Sequence, residues 1–264
     1  MTVNQFLLVD SNFMKIAFPQ NIFSSFISFK LVRNHNIVFM PSALIIKNIN
    51  NDEVDAGIIP SFDLIGNSKI FVSKKFGIAF DGNLSNAYLY FVPGKHEVKS
   101  IYLRGDITKN EVILSKILLK EKYNFEPEFI LDSGDLNFED KNYLISGREN
   151  YDYQISKNGI SFADHVAEFI EFPYVNFIFA SKDSEIIKTI DKELNFIDDS
   201  FEKNTDEIFN GTNFNSNLRQ VYKDNLNSVY FDMTENENMG LIELLRLPYY
   251  HGIIQDIIEP NFVE

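Results

Sequence analysis

Val54-Asp-Ala-Gly-Ile-Ile-Pro-Ser61 opens the most strongly patterned stretch of the chain, and Phe76-Gly-Ile-Ala-Phe-Asp-Gly-Asn-Leu-Ser-Asn-Ala-Tyr-Leu-Tyr-Phe91 continues it. Ser100-Ile-Tyr-Leu103 follows, then Val112-Ile-Leu-Ser-Lys-Ile-Leu-Leu119, and the stretch closes on Phe125-Glu-Pro-Glu-Phe129. Residues 54–59 read as a strand. Upstream, Phe6-Leu-Leu-Val9 reads as a strand ending in a polar turn at Asp10-Ser11-Asn12. Pro19 precedes a helix with Phe23, Phe26, Ile27 and Leu31 at helical spacing. Ile37-Val-Phe-Met40 is a second strand, and Ser42 is placed to cap a helix over 43–50. The strands are continuously apolar rather than alternating, and they alternate with helices. That pattern predicts a parallel sheet covered on both faces.

Downstream, strands are predicted at 69–72, 76–80 and 87–92, and Pro93-Gly94 breaks the run. A second α/β series follows: strand 98–103, helix 109–122, strands 128–131 and 142–145, helix 162–170 and strand 174–180. Helices are predicted over 184–197, 216–227 and 235–247, with Pro248 stopping the last.

The chain has 264 residues, 45% apolar and 23% charged, which suits a globular protein with a large core. Phenylalanine is abundant at 26 residues, most of it expected in the core. With no cysteine, disulfides, thiolate metal sites and cysteine nucleophiles are excluded. The net charge of −14 is uneven. Residues 1–130 hold 14 Lys+Arg and 12 Asp+Glu; residues 131–264 hold 10 and 26. Such an acidic second half disfavours nucleic acid as a partner, because phosphate binding rests on Lys and Arg. No apolar run approaches the ~20 residues of a membrane span, so no membrane association is expected. The N-terminus has no basic leader and Asp10 cuts its apolar run, so a cytoplasmic location is expected. The four histidines are dispersed and form no metal-binding motif, so no metal is expected.

The order Asp-Ala-Gly-Ile-Ile-Pro-Ser (55–61), the glycine-containing segment at 82–86 and the helix start at 108–111 resembles the chorismate dehydratase family of the futalosine route to menaquinone. Phe172-Pro-Tyr-Val-Asn-Phe-Ile-Phe-Ala180 and the closing helices from Asn225 to Leu247 extend that likeness. It implies an α/β, two-lobed type II periplasmic-binding-protein-like fold with an inter-lobe cleft. The chain would cross near Val92-Pro93 and return near Ala180-Ser181, giving one lobe of 1–93 and 182–264 around an inserted lobe of 94–181. The implied activity is loss of water from chorismate, without cofactor. The alternative is a divergent binding protein for another small carboxylate.

The site residues come from the same likeness. Asn12 and Asn86 stand at the family's catalytic positions, although Asn12 also suits a turn and Asn86 replaces the family's serine. Ser61, Thr108, Lys109, Asn110, Gly147 and Arg148 stand at substrate-binding positions. Ser61 also reads as a helix cap, and Thr108-Lys-Asn-Glu111 as a capping box that needs no ligand. Glu111 puts a negative charge where the family has a hydroxyl. Arg148 would neutralise it by pairing across the pocket, or else pair with an acid such as Glu149.

Overall fold

A computed structural model describes residues 13–95, 97–151, 158–194, 205–210 and 214–263. Among these residues, twelve strands form two separate sheets. The chain begins with β1 (Lys15–Pro19), α1 (Ile22–Leu31), β2 (Asn36–Met40), α2 (Ser42–Asn50) and β3 (Ala56–Pro60). Both β2 and β3 pair with β1 in parallel, as the alternation of elements requires. The strand expected at 6–9 lies outside the described residues. The strand at the centre of this parallel unit is instead Lys15-Ile-Ala-Phe-Pro19.

A 3-10 turn (Ser61–Leu64) leads to β4 (Phe71–Phe80), one strand where two were expected. Next come β5 (Ala87–Tyr90), β6 (Ser100–Gly105), α3 (Lys109–Tyr123), β7 (Glu128–Leu131), β8 (Tyr143–Ser146), a second 3-10 turn (Gly147–Tyr151), β9 (Ile160–Ser161) and α4 (Phe162–Ile170). The chain then forms β10 (Tyr174–Ser181), α5 (Ser184–Glu193), α6 (Ser216–Asn225), β11 (Val229–Asp232), α7 (Glu235–Tyr250) and β12 (Asn261–Val263).

The larger sheet runs β11-β4-β10-β3-β1-β2, with β12 also on β4; the smaller runs β7-β6-β8-β5-β9. All eight residues of β10 are buried, as a central strand between β3 and β4 should be. Sheet membership moves the expected crossings by one strand each. β5 pairs with β8 in the smaller sheet, so the chain passes between sheets at 81–86 and not at Val92-Pro93. Pro93-Gly94 turns the chain from β5 towards β6 within the smaller sheet. Likewise β10 belongs to the larger sheet, and the return falls at 171–173 rather than at 180–181. Glu171 makes that turn in the left-handed region, at φ 59°.

The core fills as the composition implies. Phe18, Phe23, Phe62, Phe80, Phe162, Phe177, Phe179, Phe209 and Phe231 are fully buried. Full burial of one such ring is worth about 1.5–3 kcal/mol. Pro248 does not stop the last helix, which continues to Tyr250. The Pro248 carbonyl accepts from the amides of Ile253 and Ile254, which closes the helix end three residues later than expected. Among the described residues, no helix is long and apolar enough to cross a membrane.

Candidate functional site

Parallel strands put their carboxyl ends on one edge of a sheet, and both sheets use that edge here. In the larger sheet, β2 and β3 end at Met40 and Pro60, and the starts of α2 and the Ser61 turn follow. In the smaller sheet, the parallel pair β6 and β8 ends at Gly105 and Ser146, followed by Asp106-Ile-Thr108 and by Gly147. Hydrogen bonds join these two edges directly. Both Asp106 carboxylate oxygens accept from the Ser42 amide, at 3.0 and 3.2 Å, and the Ser42 hydroxyl donates to the same group. Asp106 therefore caps α2 from the other sheet. Ser42 is the first helical residue and not its own cap; Pro41, at the cap position, has no side-chain donor or acceptor to offer.

Asn110 is the second link. Its Oδ1 accepts from the Phe62 amide at 2.9 Å and its Nδ2 donates to the Asn176 carbonyl at 2.7 Å. The side chain is fully buried, and both ends of its amide are taken by backbone groups of the larger sheet's side. Lys109 provides the third, its ammonium lying 3.3 Å from an Asp63 oxygen. Burial raises the Asp63 carboxyl above its ordinary range, and Lys109 only partly offsets that.

The capping box of α3 is formed. The Thr108 hydroxyl accepts from the Asn110 amide at 3.1 Å, while Glu111 Oε2 accepts from the Thr108 amide at 2.8 Å and from its hydroxyl at 2.5 Å. Glu111 is fully buried, and its other oxygen, Oε1, has no hydrogen-bond partner among the described residues. Burial pushes its pKa up, and the nearby Asp106 charge adds to the rise. The Tyr174 hydroxyl is a further neighbour. It is held well above its ordinary pKa, first by burial and then by Glu111, and it accepts from Asn176.

Asn86 lies on the segment that passes between the sheets. Its Nδ2 donates to Ser146 Oγ at 3.1 Å, and its carbonyl accepts from the Gly147 amide at 2.7 Å. Its Oδ1 is buried without a partner among the described residues. Gly147 has φ 75°, and a Cβ there would stand 3.1 Å from the Asp106 Cβ, so glycine lets the two turns touch. Ser61 is buried and donates to the Val175 carbonyl at 2.5 Å, tying its turn to β10.

Thr108, Lys109, Asn110, Ser61 and, through Asp106, Gly147 and Asn86 thus belong to one connected region. Asn12 lies outside the described residues. Arg148 is exposed and does not pair with Glu111 or with any acid among the described residues. Glu149 pairs instead with Arg104, at 2.7 Å. Asp106, Tyr174 and Asn176 escaped sequence reasoning. Asp106 follows a strand end beside a glycine, a local signal for this role, but its partner Ser42 is 64 residues away. A separate cavity of about 400 Å³ is lined by Lys116, Lys120, Glu126, Phe129 and His251 among others. None of the expected site residues borders it.

Two α/β lobes, each presenting strand carboxyl ends to the other, define the periplasmic-binding-protein fold, and solved structures share it. One from Archaeoglobus fulgidus is 14% identical with a TM-score of 0.66, over 93% of this chain and 100% of its own. A Candida albicans protein, described as defining a new family with the generic periplasmic binding protein fold, is 12% identical with a TM-score of 0.56, over 92% and 91%. The alkanesulfonate-binding protein of Xanthomonas axonopodis, solved with bound MOPS, is 10% identical with a TM-score of 0.62, over 94% and 97%. No protein-family model matches the chain, and no curated protein does.

Proposed function

We propose that the chain holds a small organic molecule between its two sheets. The observation that carries this reading is the convergence of the Ser42, Ser61, Asp106–Glu111 and Ser146–Gly147 turns, with buried polar atoms of Asn86 and Glu111 that no group among the described residues satisfies. Buried polar atoms are normally hydrogen-bonded, and unpaired ones cost about 1–3 kcal/mol each. Clefts at strand carboxyl ends are the usual ligand sites of α/β folds. The Xanthomonas relative, a binding protein for alkanesulfonates, supports the same use of this frame.

A narrower reading of the same site is the dehydration of chorismate, the lyase step of menaquinone biosynthesis that the sequence resemblance implies. In its favour, Ser61, Asn86, Thr108 and Gly147 lie in one connected region. Glu111 weighs against it. Its carboxylate takes the amide and hydroxyl of Thr108, where a substrate carboxylate would dock. Like charges about 4 Å apart cost on the order of 4 kcal/mol at an effective dielectric of 20. The expected result is that chorismate incubated with the protein keeps its absorbance. Protein-dependent loss of that absorbance, abolished in Asn86→Ala, would instead establish the lyase.

A further inference from the structure

The helix ends that face the cleft are already occupied by the protein's own carboxylates. Asp106 caps α2, and Glu111 caps α3. In a binding-protein cleft such ends would otherwise attract a ligand's negative group. What the region leaves unsatisfied has the opposite character. Glu111 Oε1, Asn86 Oδ1 and Asn176 Oδ1 are all buried acceptors without a donor among the described residues. Their residues are 0%, 3% and 1% exposed. They belong to one cluster: Asn176 bonds to Asn110, next to Glu111 in the helix, while Asn86 bonds to Gly147, which packs against Asp106.

Charge points the same way. Among the described residues no Lys, Arg or His pairs with Asp106 or Glu111, and the nearest cation in sequence, Lys109, is engaged by Asp63. No group of three His, Asp or Glu side chains among the described residues is arranged to hold a metal ion. At the α7 start Thr234 and Glu237 form the same capping box, again through a single carboxylate oxygen. Among the described residues, the second oxygen of Glu111 is buried without a partner and that of Glu237 is not, so burial and not capping sets Glu111 apart.

The geometry points to a ligand that carries a small organic ammonium group, with Glu111 Oε1 as its counter-charge and the Asn86 and Asn176 side-chain oxygens as further acceptors. This rests on the ligand-binding reading above and names its ligand class. A buried, hydrogen-bonded charge pair of this kind is the arrangement that makes an isolated buried carboxylate tolerable. Because burial raises the Glu111 pKa, amine binding weakens as pH falls through that raised value and the carboxylate protonates.

The test is titration calorimetry of the full chain near pH 8 with benzylammonium, agmatine and putrescine, and with benzoate and chorismate as anionic counterparts. At least one amine is expected to bind and both anions to fail. Glu111→Gln should lower the amine affinity at least tenfold, while Glu237→Gln leaves it within twofold. Asn86→Asp, which adds a negative charge without altering size, should tighten amine binding and keeps the test open if Glu111→Gln does not fold. Binding of benzoate or chorismate without any amine overturns the ammonium assignment and leaves the ligand-binding reading standing. Failure of every probe at millimolar concentration overturns both. Amine binding indifferent to Glu111→Gln or to Asn86→Asp assigns the orphan oxygens to ordered water and overturns the proposal.

Discussion

Asn110→Ala is expected to lower the stability of the protein by about 2–5 kcal/mol, with the urea midpoint moving down at unchanged slope. The side chain is fully buried and joins the start of α3 to two backbone groups of the larger sheet's side. Alanine strands the Phe62 amide and the Asn176 carbonyl, on residues that are themselves buried. An unsatisfied buried group costs about 1–3 kcal/mol, and two are created at once. Asn110→Asp is the informative partner. It keeps the acceptor for Phe62, loses the donor to Asn176 and buries a charge beside Glu111, so it should be no more stable than the alanine variant. If Asn110→Ala costs less than about 1 kcal/mol, the side chain does not hold the two lobes together.

The second large effect is expected at Gly105, the last residue of β6, just before Asp106. Its φ is 77°, and a Cβ built there would lie 2.0 Å from the Ser146 carbonyl oxygen. That oxygen belongs to the paired strand β8 and cannot rotate away. Gly105→Ala therefore combines the left-handed backbone penalty of about 1–2 kcal/mol with a main-chain overlap. A total of about 3–5 kcal/mol is expected. Gly66 separates the two contributions. It has φ 84° with nothing within 4 Å of its Cβ position, so Gly66→Ala should show the backbone penalty alone. Equal urea midpoints for the two variants would contradict the overlap argument.

These two residues show where sequence reading succeeds and where it stops. The helix at 162–170 was legible with both ends correct, because its signals are local: Ser161 caps it and Glu171 ends it in the left-handed region. The Thr108–Glu111 box was legible for the same reason, since a spacing of three residues carries the whole motif. Strand β1 was not. Lys15-Ile-Ala-Phe-Pro19 is short and adjoins a helix, while the more apolar Phe6–Val9 run drew the assignment. The crossing points were illegible because strands buried on both faces read alike in either sheet. Only pairing assigns β5 and β10 to their sheets.

In the site, the residue positions were readable but their partners were not. Asn110 reads as a polar residue at a helix start, suited to a ligand. Its partners, 48 and 66 residues away, make it a link between lobes. Arg148 reads as a carboxylate receptor beside a permissive glycine, yet Arg104 captures the adjacent Glu149 and Arg148 stays exposed. Asp106 reads as an ordinary turn acid. Its contact with Ser42 arises only when the two lobes face each other.

A small molecule bound between the two sheets would slow amide hydrogen exchange on both of them. Exchange should be followed with and without the tightest-binding member of the probe panel. Added protection is expected at 61–64, 82–86, 105–111 and 146–148, on both sides of the cleft at once. Protection confined to the cavity between Lys116, Phe129 and His251, with the cleft segments unchanged, would contradict it.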